Sequence, residues 1–460
     1  MKDIVIRSRR DIPAVEKLAS QPAIQEAGAA LPRPLTVEII RAVVERTKNT
    51  LDGDSGEITT AILRHEIIDD IKAVSRRKIG RVINGTGILV HTNLGRAPLA
   101  EDLFDRIKSQ VVGYGNLEYD VATGKRGKRG ELAEKYLALC SQAEAGTIVN
   151  NNAAALFIIL NTLANRRPVV ISRGELVQIG GGFRIPDIIR KSGARLLEVG
   201  TSNITTLDDY KNALEANPAV ILKVHRSNFA VSGFTDEVPL RELATLGRKA
   251  DIPVVNDLGS GVLVDTTPMA GAREPTVQES VRQGAWLTCF SGDKLLGGVQ
   301  AGLIVGRKEP VARVKKNPIY RVVRVDKIVF SSTENLLGSF LDGSWSGDIK
   351  LWRLAQRKES ELYEKGREII RQIDAGDKIT LEGTRGRLGG GALPEVPLPS
   401  VGLAVSSKKN PTRLAALFRE ASPPVIGRIV EGRFVIDLKA VDDDDARLLI
   451  DIIKNLIDKI

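Results

Sequence analysis

Cysteine is nearly absent. Cys140 and Cys289 are the only two in 460 residues. Two thiols cannot build a disulfide framework or, unaided, a zinc site, so no metal centre is expected. Aromatic residues make up only 4% of the chain, and there are three histidines. Long hydrophobic runs are also missing. The run from Ala153 to Leu160 ends at Asn161, far short of the roughly 18 apolar residues a membrane-spanning helix needs. The opening MKDIVIRSRRD has no apolar stretch of the kind a secretory signal carries. No repeat of 20–50 residues is visible, and no low-complexity tract beyond Asp442–Asp445. A soluble protein of the reducing cytoplasm, with no membrane partner, is expected.

What is present is an ordinary globular composition. Apolar residues make up 42% and charged residues 27%, which excludes a disordered or collagen-like chain. The net charge of +10 is concentrated. Residues 121–130 (VATGKRGKRG) hold four basic and no acidic side chains, and residues 301–330 hold eight against two. Basic clusters beside glycine-rich turns suit an anionic ligand, phosphate or nucleic acid, although solvated surface explains any single lysine.

The chain reads as three parts. Residues 1–75 look helical: short helices near Pro13 and Pro22, an interruption at LPRP (31–34), a helix capped by Thr36, a turn at DGDSGE (52–57), and a helix from Ile58 to about Val74. From there to residue 330, β-branched runs alternate with helical periods. The strand candidates are 147–150, 168–172, 195–199, 219–224, 252–257, 286–290 and 301–305. Such alternation predicts an α/β domain around a mainly parallel sheet. Residues 331–460 predict an α+β small domain.

Ligands of parallel sheets bind beyond the strands' C-terminal ends, so polar residues there matter most. In CFSGDKLLGG (289–298), Lys294 follows an apolar strand and a small-residue turn. Desolvation at such a place lowers an amine's pKa and suits it to Schiff-base formation with a carbonyl. In VVNDLGSG (254–261), Asp257 ends another strand and suits a protonated ring nitrogen. In VNNNAAAL (149–156), Asn151, Asn152 and Ala153 open a helix whose backbone N–H groups could cradle a phosphate, with Ser291 as a further donor. Singly, each is also what a capped helix, a turn or a surface lysine would show. Together their order is that of a fold-type I enzyme dependent on pyridoxal 5′-phosphate (PLP). His225, after the 219–224 strand, is a candidate cofactor contact. His91 carries less weight, and His65 reads as structural.

Longer motifs point to one family. INGTGILVHTNLGRAPL (83–99), YGNLEYDVATGKRGKRG (114–130), RGELVQIGGGFRIPDI (173–188), DLGSG (257–261), SGDKLLGG (291–298) and PPVIGRI (423–429) resemble bacterial selenocysteine synthase, the L-seryl-tRNA(Sec) selenium transferases. The resemblance implies a PLP enzyme that converts seryl-tRNA(Sec) to selenocysteinyl-tRNA(Sec) with selenophosphate, through an aminoacrylyl-tRNA. It implies Lys294 as the PLP lysine, Asp257 as the pyridinium partner and Asp293 as a catalytic neighbour. It further implies that Arg96, Arg129, Arg321 and Arg324 form an anion site for the selenium donor. The N-terminal domain would bind tRNA, and the chain would assemble as a ring of dimers. Ile204, Ala230, Ser232 and Val299 depart from the family pattern. Two other classes stay open: a lyase of a small amino acid or amino sugar on the same fold, and a non-catalytic tRNA-binding relative.

Overall fold

The computed structural model describes residues 3–51, 58–179, 182–226 and 233–460. The expected turn at 52–57 and the departures at Ala230 and Ser232 lie outside them. The chain divides into two compact units, Met1–Arg81 and Val82–Ile460.

The first unit is helical. Val15–Ala19 and Pro22–Gly28 are short helices, and Arg33–Leu51 and Thr60–Ser75 are long ones. Leu18, Ile24, Ile40, Val43, Leu63, Ile67 and Ile71 form its core, at the spacing of amphipathic helices. Thr36 does not cap the first long helix. That helix begins at Arg33, three residues earlier, and Thr36 is buried inside it. A proline is tolerated in a first turn because the N–H it lacks has no helical acceptor there, so Pro34 does not interrupt. The cap found instead is Thr59, whose hydroxyl accepts the Ile62 N–H at 3.3 Å and opens the second long helix.

The second unit is built on a seven-stranded sheet. Its order is Arg195–Val199, Pro168–Ser172, Val220–Val224, Val254–Gly259, Leu287–Ser291, Gly302–Gly306 and Ala145–Val149. Every neighbouring pair is parallel except the two made by Gly302–Gly306. These are the seven runs expected from the sequence. The middle strands are buried along their whole length, as strands covered by helices on both faces must be. The six strands that run the same way put their C-terminal ends along one edge.

A five-stranded sheet forms the rest. Ile379–Gly389 and Ala392–Val405 make a long antiparallel hairpin, joined by Arg433–Asp437 and Arg428–Val430. Ile88–Val90, from nearly 300 positions upstream, adds to the hairpin in parallel. Of the hairpin, only SVGLAV (400–405) reads as a strand in the sequence; in the rest Pro397, Pro399 and the glycines at 386 and 389–391 mask the alternation. Residue 331, expected to open a domain, lies inside the Lys327–Leu341 helix, which Asp326 caps by accepting the Ile328 and Val329 N–H groups.

Candidate active site at the C-terminal edge of the sheet

Lys294 sits in a turn that the Leu287–Ser291 strand sets up. The Gly292 N–H bonds to Ala301 O at 2.8 Å, and the Leu295 N–H bonds to Ser260 O at 3.0 Å. A Cβ at Gly292 would lie 2.7 Å from Val299 O, so the turn closes only around glycine. The result is a lysine only 7% exposed. Burial pulls its pKa below the usual range, Asp257 opposes this, and Arg96 adds to it. The shift is in the direction of the neutral amine.

Asp257 is 6% exposed on the Val254–Gly259 strand. Asn152 Nδ2 donates to its Oδ1 at 2.8 Å. Burial raises the carboxyl, against the opposing influence of Asn152, Lys294, the Cys289 thiol and His225. Cys289 faces Asp257 in the register of the neighbouring strand, and burial beside that carboxylate pushes its own thiol well up.

The helix opened by the asparagines is Asn152–Ala164. Asn151 is its cap, with Oδ1 accepting the Ala154 N–H at 2.9 Å. The Asn152 side chain is turned to Asp257, which leaves the backbone N–H groups of Asn152 and Ala153 at the helix start. Ser291 is buried and pairs with Gly302. A Cβ at Gly302 would lie 2.1 Å from Asn151 O, so that glycine lets the helix end meet the sheet. Ser291, Asn151 and the helix start therefore converge.

His225 also belongs here. Its N–H bonds to Asp257 O at 2.9 Å. Its Nε2 lies 3.1 Å from Oε1 of Glu274, a carboxylate only 2% exposed. Sequence reasoning missed Glu274, which stands in the irregular GAREPT stretch, and Cys289, whose role depends on strand register. His65 lies on the helix surface with Asp69 3.3 Å away.

The four arginines do not form one group. Arg96 adopts φ 67°, and its Nη1 donates to both oxygens of Asp293 at 3.0 and 2.9 Å. The Ala97 N–H reaches Asp293 O at 3.2 Å. Arg96 thus holds the carboxylate next to Lys294. Arg129, Arg321 and Arg324 line a separate cleft of about 450 Å³, with Glu118 and Lys315. Arg129 donates to Glu118 at 2.6 Å and to Val325 O at 2.6 Å. Arg324 Nη1 stays 3.9 Å from Glu118, and Arg321 is exposed with no partner among the described residues. The bridge between Val149 and Arg324 puts this cleft at the C-terminal end of the Ala145–Val149 strand. The two basic stretches, about 180 residues apart in sequence, meet there. Of the departures from the family pattern that are described, Ile204 bridges to Asp236 and Val299 packs its carbonyl against Gly292.

Known proteins match this chain over nearly its full length. The family described as L-seryl-tRNA selenium transferase matches residues 82–442, and the one described as selenocysteine synthase N terminal matches residues 9–47. The L-seryl-tRNA(Sec) selenium transferase of Geotalea daltonii is 40% identical over 449 residues, 96% of this chain and 97% of that one. That of Aquifex aeolicus is 39% identical over 445 residues, 96% and 97% of the two chains. The solved structure of D-glucosaminate-6-phosphate ammonia-lyase superposes with a TM-score of 0.58 at 17% identity, covering 83% of this chain and 96% of that one. That likeness is one of fold, and the fold is type I. With both its segments matched and relatives of about 40% identity spanning it, this chain belongs to the L-seryl-tRNA selenium transferase family.

Proposed function

We propose that the protein converts seryl-tRNA(Sec) to selenocysteinyl-tRNA(Sec), with PLP as cofactor and selenophosphate as selenium donor. One observation carries the chemistry: a buried lysine and a buried carboxylate lie close enough for each to shift the other's pKa. The residues fit PLP. Asn152 Oδ1 and Ser260 Oγ are buried there without hydrogen-bond partners among the described residues, and buried polar atoms of this kind call for a ligand. The Lys294 amine would hold the aldehyde, and Asp257 would hold the ring nitrogen, whose positive charge would draw that carboxyl back toward ionisation. Backbone N–H groups of Asn152 and Ala153, with Ser291, would take the phosphate, and His225 would lie against the ring. When bound, PLP supplies an electron sink for charge that develops at the serine α-carbon.

The chain's own groups do the rest. Once the seryl amine has taken its place at the aldehyde, the freed Lys294 Nζ, shifted toward its neutral form, would take the proton from the α-carbon. Asp293, fixed by Arg96, stands next to it to serve proton transfer at the departing hydroxyl. Arg96 is then a positioning residue for Asp293. Arg129, Arg321 and Arg324 hold selenophosphate, since a guanidinium fork matches tetrahedral oxyanions. The seryl carboxyl is esterified to the tRNA, so no arginine is needed for a free carboxylate.

The test is to incubate the PLP-loaded chain with seryl-tRNA(Sec) and selenophosphate and identify the esterified amino acid. Selenocysteine is the expected product. Unchanged serine would overturn the proposal, and ammonia released from an amino-sugar acid would favour the lyase reading.

The partners follow. Phe104, Val112, Tyr114, Tyr119, Val121 and Leu132 are large apolar residues left exposed. Apolar surface of this kind suits a second copy of the chain, in line with the ring of dimers. Among the described residues no helix is long and apolar enough to cross a membrane, which is compatible with the cytoplasmic location proposed. The N-terminal helical unit is proposed to bind tRNA. Deleting residues 1–81 should weaken tRNA(Sec) binding by roughly tenfold or more, with steep salt dependence in the intact chain, and leave the cofactor's absorbance band in place. Unaltered affinity in filter binding would refute this role.

A further inference from the structure

Glu274 is a buried carboxylate that the chemistry above does not use. It stands in the irregular stretch between the Val254–Gly259 strand and the Val277–Arg282 helix. Thr266 folds this stretch back on itself. Its buried hydroxyl donates to Ala272 O at 2.7 Å and accepts the Glu274 N–H at 2.9 Å. The Val277 N–H closes the loop on Val262 O at 3.0 Å. The backbone of Glu274 is therefore fixed, and its side chain is aimed by a loop of defined shape.

That side chain has one hydrogen-bonding partner among the described residues, Nε2 of His225 at 3.1 Å. His225 is itself anchored from the other side, by its N–H on Asp257 O at 2.9 Å. Three hydrogen bonds thus run in sequence from Thr266 through Glu274 and His225 to the strand that carries Asp257. A buried pair of this kind gains little stability over a well-packed apolar pair of the same volume, so stability does not account for it. The pair also lies within reach of the site's charges. Burial pulls the Lys294 pKa down, and Glu274 is among the carboxylates that oppose this. Burial raises Asp257, and His225 is among the groups that oppose that.

The two members differ in exposure. The Glu274 side chain is 3% exposed and that of His225 is 29%. The pair is closed on the glutamate side and open on the imidazole side, where a flat ring held by Lys294 and Asp257 would lie. Alone, an imidazole turns easily, because the torsion at its ring bond has broad wells. The bond to Glu274 selects one orientation and puts a proton on Nε2, since a carboxylate oxygen accepts. Support of this kind matters most once Lys294 is freed to act as a base, because the covalent tether to the protein is then gone.

We propose that Glu274 is a positioning residue for the cofactor: it accepts the Nε2 proton of His225 and so locks the imidazole in the orientation that supports the PLP ring. The proposal deepens the PLP reading and rests on it. Glu274 acts only through His225.

The experiment titrates PLP into the cofactor-free full-length chain and follows the visible absorbance band and its induced circular dichroism. Glu274→Leu fills the space but accepts no proton. It should raise the apparent Kd for PLP about tenfold and diminish the induced dichroism. Glu274→Gln keeps an oxygen for Nε2 and should stay within about threefold of wild type. In a His225→Ala background, Glu274→Leu should cost nothing further, because residues that act as a unit do not add. A second tenfold loss in that background would overturn the proposal, and so would wild-type affinity in Glu274→Leu. The double variant leaves no unpaired buried charge, so it keeps the test open where Glu274→Leu alone does not fold: it should match His225→Ala. Matched far-ultraviolet spectra check folding. A wild-type chain that develops no visible band would sink the PLP reading and this inference with it. A normal wild-type band that Glu274→Leu leaves unchanged would sink the positioning role alone.

Discussion

Lys294→Ala is expected to abolish covalent retention of PLP and to lower turnover by roughly a thousandfold or more. The expectation rests on burial. Most of the chain's basic residues are solvated, but this one is 7% exposed, and burial is the largest influence on its pKa. Such a shift raises the share of neutral, nucleophilic amine above that of a surface lysine. The measurement is borohydride reduction followed by peptide mass spectrometry. The wild-type chain should carry the cofactor mass on the peptide containing residue 294, and the variant should carry none. Binding of tRNA(Sec) should persist in the variant, because no RNA contact is assigned to Lys294. Cofactor found on another lysine would end the assignment.

Asp257→Asn is expected to lower turnover by roughly a hundred- to ten-thousandfold with little change in folding. Asparagine keeps an oxygen for the Asn152 amide, whose bond to Asp257 measures 2.8 Å, so the helix start stays in place. What is lost is the negative charge that would hold a protonated ring nitrogen. The same substitution removes the main influence that raises the Lys294 pKa. In the cofactor-free protein, Lys294 should then titrate at still lower pH, read as the pH dependence of its labelling by an amine-reactive reagent. Turnover within about threefold of wild type, or an unshifted labelling profile, would remove Asp257 from the site.

The candidate site was partly legible in the sequence. Lys294 and Asp257 were found because each ends a short apolar run, and in a parallel sheet such ends share one edge. The strands inside the sheet were legible for the same reason: both faces are covered, so the runs are mostly apolar. Legibility failed where the pattern is not local. The long hairpin at 379–405 holds prolines and glycines that read as turn, yet its pairing with Arg433–Asp437 and Ile88–Val90 makes it sheet. Thr36 resembled a cap because a proline precedes it, but a first turn accepts proline.

What the sequence by itself determined is the order of the elements, the α/β class and the residue types that end the strands. These follow from periodicity and turn chemistry within a few residues. The tertiary structure alone decided which polar groups meet. It brought Asn152 to Asp257 across 105 positions and Glu274 to His225 across 49. It put Arg96 on Asp293, 197 positions away. A charge's partner is set by which strand lies beside which, and neighbours in a crossover sheet are far apart along the chain. No local period records that distance.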